Sequence, residues 1–264
     1  MGGEAFKDAN GEHLTTSIMK HEVAPTLDKF YEILKQAGVA QLVPLGSTGK
    51  KEMSGDIDIA IGPFTPEESK TKKAEIVSYL KNKIGEENAK LLGQNIAVMF
   101  PISGRENEFV QIDVMMSSSP DDTGLLMSGT GVGAKGVYRN LMLSYIAKLR
   151  STEDAKITIA FPGGVQVARG KEILVPRTEN MTTIKRLLGI EGLDVSTFEK
   201  LVEDMSTDPE LSQILPGFKE YIQRYLDDPK TAKDAAIAAS VIEGITGKRL
   251  QERRLRQIIR LILN

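Results

Sequence analysis

Two aspartates two positions apart, Asp56 and Asp58, lie in the run Leu45-Gly46-Ser47-Thr48-Gly49-Lys50-Lys51-Glu52-Met53-Ser54-Gly55-Asp56-Ile57-Asp58-Ile59-Ala60-Ile61. On a strand, alternate side chains share a face. Both carboxylates then project together, while Ile57, Ile59 and Ile61 point the other way into a core. Neighbouring carboxylates disfavour each other's ionisation unless a cation lies between them. Hard divalent ions such as Mg2+ take carboxylate oxygens together with substrate phosphates, so an Asp-x-Asp strand is a natural half of a two-metal site. Gly46-Ser47 follows a short apolar stretch and opens a turn. Glycine lets a phosphate approach the backbone closely, and Ser47 offers a hydroxyl and a backbone N–H. Lys50 and Lys51 have two readings: they neutralise a triphosphate held at the turn, or they are a solvated turn. A third acid, Asp113, lies in Phe109-Val110-Gln111-Ile112-Asp113-Val114-Met115. It is either a further metal ligand or a strand acid facing solvent. A lone Asp in so apolar a strand costs free energy unless it is paired or metal-bound.

The elements that must position these residues follow from periodicity. Leu14, Ile18, Leu27, Phe30, Tyr31 and Leu34 recur at helical spacing, which predicts a helix over 12–38 broken or kinked at Pro25. Residues 39–45 are a short buried strand, 46–55 a turn, and 56–61 a strand of alternating acid and isoleucine. Thr65, Pro66, Glu67 and Glu68 open a helix that runs to Ile84. Residues 95–102 and 108–115 are joined by a hairpin signal, Ser103-Gly104-Arg105-Glu106-Asn107. A Ser-, Gly- and Pro-rich loop over 117–136 precedes an amphipathic helix over 137–149. A small hairpin follows at 157–160 and 165–168. Beyond about residue 178 the pattern turns wholly helical, with segments over 182–188, 195–205, 209–226, 231–245 and 249–263. The expected architecture is α+β: a small mixed sheet flanked by helices over 1–175, then an all-helical domain over 176–264.

Gly46-Ser47, a polar spacer, Asp56-Ile57-Asp58 and a later strand acid together resemble the DNA polymerase beta-type nucleotidyltransferase superfamily. That group includes CCA-adding enzymes, poly(A) polymerases, oligoadenylate synthases, antibiotic adenylyltransferases and small toxin-system enzymes. The resemblance covers roughly residues 26–150. It implies transfer of a nucleoside monophosphate from a nucleoside triphosphate to an acceptor hydroxyl, with release of pyrophosphate. It places Gly46 and Ser47 on the triphosphate, Asp56 and Asp58 on two Mg2+ ions (Mn2+ being a possible substitute), and Asp113 on the catalytic ion. Lys50 holds the place of a basic residue common in the family, and Lys51 stands where glycine is usual. A second echo is Ser128-Gly129-Thr130-Gly131 followed by Tyr138-Arg139-Asn140. Some members carry a Thr-Gly turn and an Arg-bearing helix near the incoming nucleotide, which here would fall on Thr130 and Arg139. The other reading of Arg139 is a pair with a surface acid.

Composition sets the remaining limits. The 264 residues are 41% apolar and 27% charged, with a net charge of −2, so the chain as a whole is no polycation made to coat nucleic acid. With no cysteine, disulfides and thiolate metal sites are excluded. His13 and His21 read as surface residues rather than ligands. The polar start and the lack of a long apolar run, with no cysteine to argue for secretion, lead to the expectation of a cytoplasmic protein with no membrane partner. The C-terminal stretch 248–264 carries Lys248, Arg249, Arg253, Arg254, Arg256 and Arg260 against one acid, Glu252. It is either a solvated helix face or a contact for a nucleic-acid backbone. This leans the acceptor toward nucleic acid, such as the 3′ end of tRNA or another RNA. A protein or small-molecule acceptor is the alternative, and a non-catalytic nucleotide- or nucleic-acid-binding module on the same fold is a third reading.

Overall fold

The computed structural model describes residues 4–127, 136–160, 164–227 and 231–263, the last with side chains to residue 247. It is a mixed α+β protein that divides into two compact units. One comprises Met1–Ser128, Pro162–Gly164 and Thr178–Met181; the other comprises Gly129–Phe161, Val165–Arg177 and Thr182–Asn264. Along the chain the compact units meet near residue 128, so a helix and a small sheet after residue 135 join the C-terminal helices in one unit. From residue 181 onward the described elements are helical, as the pattern over 176–264 implies.

The first unit opens with β1 (Ile18–Met19) and α1 (Lys20–Gln36). Helix α1 starts eight residues later than the periodicity suggests, because Ile18 and Met19 pair antiparallel with β3 (Met53–Ser54). Pro25 stays inside the helix. It stands near the start, where a missing N–H removes only an early hydrogen bond. Glu22 fixes the entry by accepting the Met19 N–H at 2.8 Å. Between these strands lies β2 (Gln41–Pro44), and β4 (Asp56–Gly62) follows β3. Helix α2 (Pro66–Ile84) begins where the sequence implies, with a reciprocal cap: the Thr65 hydroxyl accepts the Glu68 N–H, and the Glu68 carboxylate accepts the Thr65 N–H. Then come β5 (Ala89–Leu92), β6 (Asn95–Pro101), β7 (Phe109–Met116) and α3 (Pro120–Met127). Strand β5 lay outside the sequence expectation, and α3 occupies part of the stretch expected to be loop.

Strands β2, β4, β7, β6 and β5 form one mixed sheet in that order. Only β4 and β7 run parallel in it. One face is closed by α1 and α2. There Ile57, Ile59, Ile61, Ile112 and Val114 pack with Leu27, Phe30, Leu34, Ile76 and Leu80 in one apolar cluster. On the other face, described elements of the first unit pack at the flanks. Phe6 packs on Ala97 and Met99 over β6. Helix α3 lies over β2 and β4 at the far end, where a Cβ on Gly124 would come within 2.7 Å of Val43. A polar knot anchors α3. The buried Glu179 carboxylate accepts the Ser117 hydroxyl at 2.7 Å and the Ser118 N–H at 3.1 Å, and Asp122 accepts the Met181 N–H at 3.1 Å.

The second unit holds α4 (Gly136–Arg150), all but end residues of a three-stranded sheet of β8 (Lys156–Ala160), β9 (Gly164–Arg169) and β10 (Glu172–Thr178), all of α5 (Met181–Leu188) but its first residue, and then α6 (Phe198–Thr207), α7 (Ile214–Gln223) and α8 (Ala232–Leu263). The two final helical segments of the sequence reading are one continuous helix. Tyr138, Phe198 and Phe218 form an aromatic centre, with ring centroids 6.4 and 6.1 Å apart. Among the described residues no helix is long and apolar enough to cross a membrane.

Candidate metal and phosphate site

The parallel pairing of β4 with β7 decides the geometry. Its register sets Asp58 directly opposite Asp113 and Asp56 opposite Gln111. All four therefore share the face that α1 and α2 leave uncovered. Carboxylate oxygens of Asp56, Asp58 and Asp113 lie within 4.8 Å of one another, and all three residues are half-buried. Partial burial opposes the charge of Asp58 and Asp113, and repulsion from neighbouring carboxylates adds to it. Asp58 carries the largest consequence: burial first, then the charges of Asp56 and Asp113, push its carboxyl up to about 6. Burial also raises Asp113, partly offset by a hydrogen bond from the Gln111 amide. A half-buried cluster of close carboxylates is a set of oxygen ligands of the kind a divalent cation takes, since the cation removes the repulsion between them. The three aspartates form a possible metal site.

The turn beside them is tied to Asp58 through the main chain. The Leu45 N–H donates to the Asp58 carbonyl at 2.8 Å, extending the β2–β4 ladder into the turn. Thr48, which is buried, takes the Asp58 N–H on its hydroxyl at 3.1 Å. Gly46 has φ +57°, a left-handed conformation that favours glycine, and a Cβ there would lie 3.7 Å from the Asp58 carboxylate. The chain thus passes close to the acids. The Ser47 carbonyl accepts the Lys50 N–H at 3.0 Å, which closes the turn. Ser47 is half-buried, and Lys50 and Lys51 are exposed.

Neither a protein-family model nor a curated protein matches the chain. The site must speak through its own geometry.

Of the nine residues singled out from sequence, seven fall in the first unit: Gly46, Ser47, Lys50, Lys51, Asp56, Asp58 and Asp113. Thr130 lies outside the described residues. Arg139 belongs to the second unit and is 1% exposed, which is not the surface position that a pair with a surface acid implies. Its guanidinium donates to the Ser196 carbonyl at 3.0 Å, joining α4 to the segment before α6. Burial pushes its pKa down to about 10. The physical reason for the correction is helix phase: Arg139 lies beside Tyr138 and Met142 on the buried side of α4. Two residues of the site carry no sequence signal of their own. Thr48 is hidden in a turn full of polar residues, and Gln111 reads as an ordinary strand residue. Only the register across β4 and β7 brings Gln111 beside the acids.

Proposed function

We propose that this chain is a metal-dependent nucleotidyltransferase of the DNA polymerase beta type. It would move a nucleoside monophosphate from a nucleoside triphosphate to an acceptor hydroxyl. The observation that carries the reading is the convergence of Asp56, Asp58 and Asp113 on one face of a parallel strand pair, with the turn that holds Gly46 and Ser47 hydrogen-bonded to the same strand. An acid triad alone has many uses. A triad with a glycine turn beside it combines a cation site with a phosphate site, which is what transfer from a triphosphate requires.

In this reading Asp56, Asp58 and Asp113 would hold Mg2+. The metal would supply activation of the acceptor hydroxyl and charge neutralisation for the departing pyrophosphate. Gly46 lets a phosphate approach the main chain, and Ser47 donates its N–H and hydroxyl to phosphate oxygens. Lys50 and Lys51, exposed on the same turn, offset the remaining charge of the triphosphate. Thr48 keeps the turn at a fixed distance from Asp58. The acceptor is read as an RNA 3′ end, on the strength of the Arg-rich stretch 248–264.

The test is incubation with each α-32P nucleotide and Mg2+, together with total RNA and whole-cell protein. Label in the RNA fraction, absent with Asp58→Asn, is the expected result. Label in protein would keep the chemistry and move the acceptor. No Mg2+-dependent binding of ATP or GTP by calorimetry would overturn the reading.

A further inference from the structure

We infer that Gln111 is a positioning residue for Asp113, and that the N-terminal segment sets its orientation. The inference rests on the metal-site reading above. Gln111 is 3% exposed, deep in the sheet yet on the acid face. Its amide is held from both ends. The Ala5 N–H donates to Oε1 at 2.9 Å, and Nε2 donates to Asp113 Oδ1 at 2.9 Å. A flipped amide would put N–H against N–H at Ala5 and oxygen against a carboxylate at Asp113, so both contacts select one orientation. The two links form a relay from the N-terminal main chain to a proposed metal ligand.

The far end of that relay is itself built in. Phe6 is 3% exposed and packs on Ala97 and Met99. The Thr16 N–H donates to the Phe109 carbonyl at 2.7 Å and the Leu14 N–H to the Phe6 carbonyl at 3.0 Å. Lys90 donates to the Ala5 carbonyl and lies 4.5 Å from the centre of the Phe6 ring. The segment is thus seated on the flank of the acid face and presents its Ala5 N–H at a fixed place.

The chemical type of Gln111 matters. A lysine or arginine at that distance would orient Asp113 but cancel the charge a cation needs. An amide donor fixes the rotation of the carboxylate and leaves the charge of the triad intact. Outer-shell donors of this kind change metal affinity by about 10–100-fold when removed.

The experiment is a Mn2+ titration of the full chain, with free Mn2+ followed by electron paramagnetic resonance. Gln111→Met keeps the approximate volume and removes the donor. It is expected to bind Mn2+ about 10-fold more weakly and to recover nucleotide transfer at saturating Mn2+. A merely structural role would lower the melting temperature without shifting the Mn2+ concentration at half-saturation. Ala5→Pro removes the upstream N–H from outside the sheet and is expected to weaken binding about 3-fold, the loss of one hydrogen bond. It decides the matter should Gln111→Met not fold. Wild-type affinity in a folded Gln111→Met chain, or in Ala5→Pro where that is the deciding variant, overturns the relay while leaving the metal site standing. No Mn2+ binding by the unaltered chain overturns both.

Discussion

The two faces of β4 are made from alternate residues of one seven-residue strand, yet their environments are opposed. Ile57, Ile59 and Ile61 are fully buried against α1 and α2. Asp56 and Asp58 lie on the face opposite α1 and α2 and are half-buried. The packed face holds the strand in place. The acid face uses that fixity to keep together groups that would otherwise separate. The acids impose a free-energy cost that the isoleucines offset, and the lesson is that fold and site are coupled through a period of two. Strand β7 repeats the arrangement: Ile112 and Val114 lie in the core, and Gln111 and Asp113 lie opposite.

The comparison breaks most sharply at Asp58. If the proposed function holds, Asp58→Asn removes a carboxylate oxygen of the metal site together with one of three clustered acidic groups. Charge stabilisation by a bound cation is worth several kcal/mol, so transfer activity is expected to fall on the order of 10³-fold. The metal-free chain should meanwhile melt at the same temperature or higher, since a destabilising charge has gone. Parallel activity and melting assays check both halves. A large fall in melting temperature would mean that the acid face contributes to the fold after all.

The opposite substitution is Ile59→Ala. Ile59 is fully buried at the centre of the packed face. The lost transfer energy and the cavity together are expected to cost about 2–5 kcal/mol, read from the denaturant midpoint at constant slope. Metal affinity of the fraction that remains folded should be unchanged. These two variants should therefore move stability and activity independently.

The pH dependence of the metal-free chain sharpens the same contrast. Asp58 titrates near 6 in the fold, above the ordinary aspartate value of 3.8 that it recovers on unfolding. Below about pH 4 both states hold the proton and there is no penalty. Between about pH 4 and 6 the unfolded chain ionises first, the folded chain binds more protons, and stability falls as pH rises. Above 6 the full cost is present. Denaturation midpoints across this range should show that slope in the unaltered chain and a smaller one in Asp58→Asn. Metal binding, which needs the carboxylates ionised, should weaken as pH falls through about 6.

What the sequence disclosed follows the same division. Features with a short local period were legible: the alternating Asp and Ile of β4, the Thr65-Pro66 helix start, the hairpin of β6 and β7. The Gly46-Ser47 turn was legible for the same reason, as a local change from apolar to glycine-punctuated polar sequence. Features that depend on distant pairing were not. The parallel register that sets Asp58 against Asp113 joins segments more than fifty residues apart. Strand β5 is short and ends in the exposed Leu91 and Leu92, so it carries no clean alternation. Arg139 shows the limit most clearly. A charged side chain is expected at the surface, and only tertiary contacts reveal that the Ser196 carbonyl receives it in a core. The division near residue 128 was likewise invisible locally, because strands occur on both sides of it.

The smallest effect belongs to Thr48, which lies between the two faces and bonds to the strand they share. Its hydroxyl receives the Asp58 N–H at 3.1 Å in a buried position. Thr48→Val keeps the shape and removes that acceptor. An unsatisfied buried N–H costs about 1–3 kcal/mol, and a turn released at this point would no longer hold Gly46 beside the Asp58 carboxylate. The expected signature is a stability loss at the low end of that range, with a higher KM for the nucleotide and a smaller change in kcat. Thr48→Ser, which restores the hydroxyl, should recover the KM. If KM stays at its wild-type value in Thr48→Val while stability falls, the turn and the strand are coupled in folding alone, and the phosphate site does not depend on the contact between them.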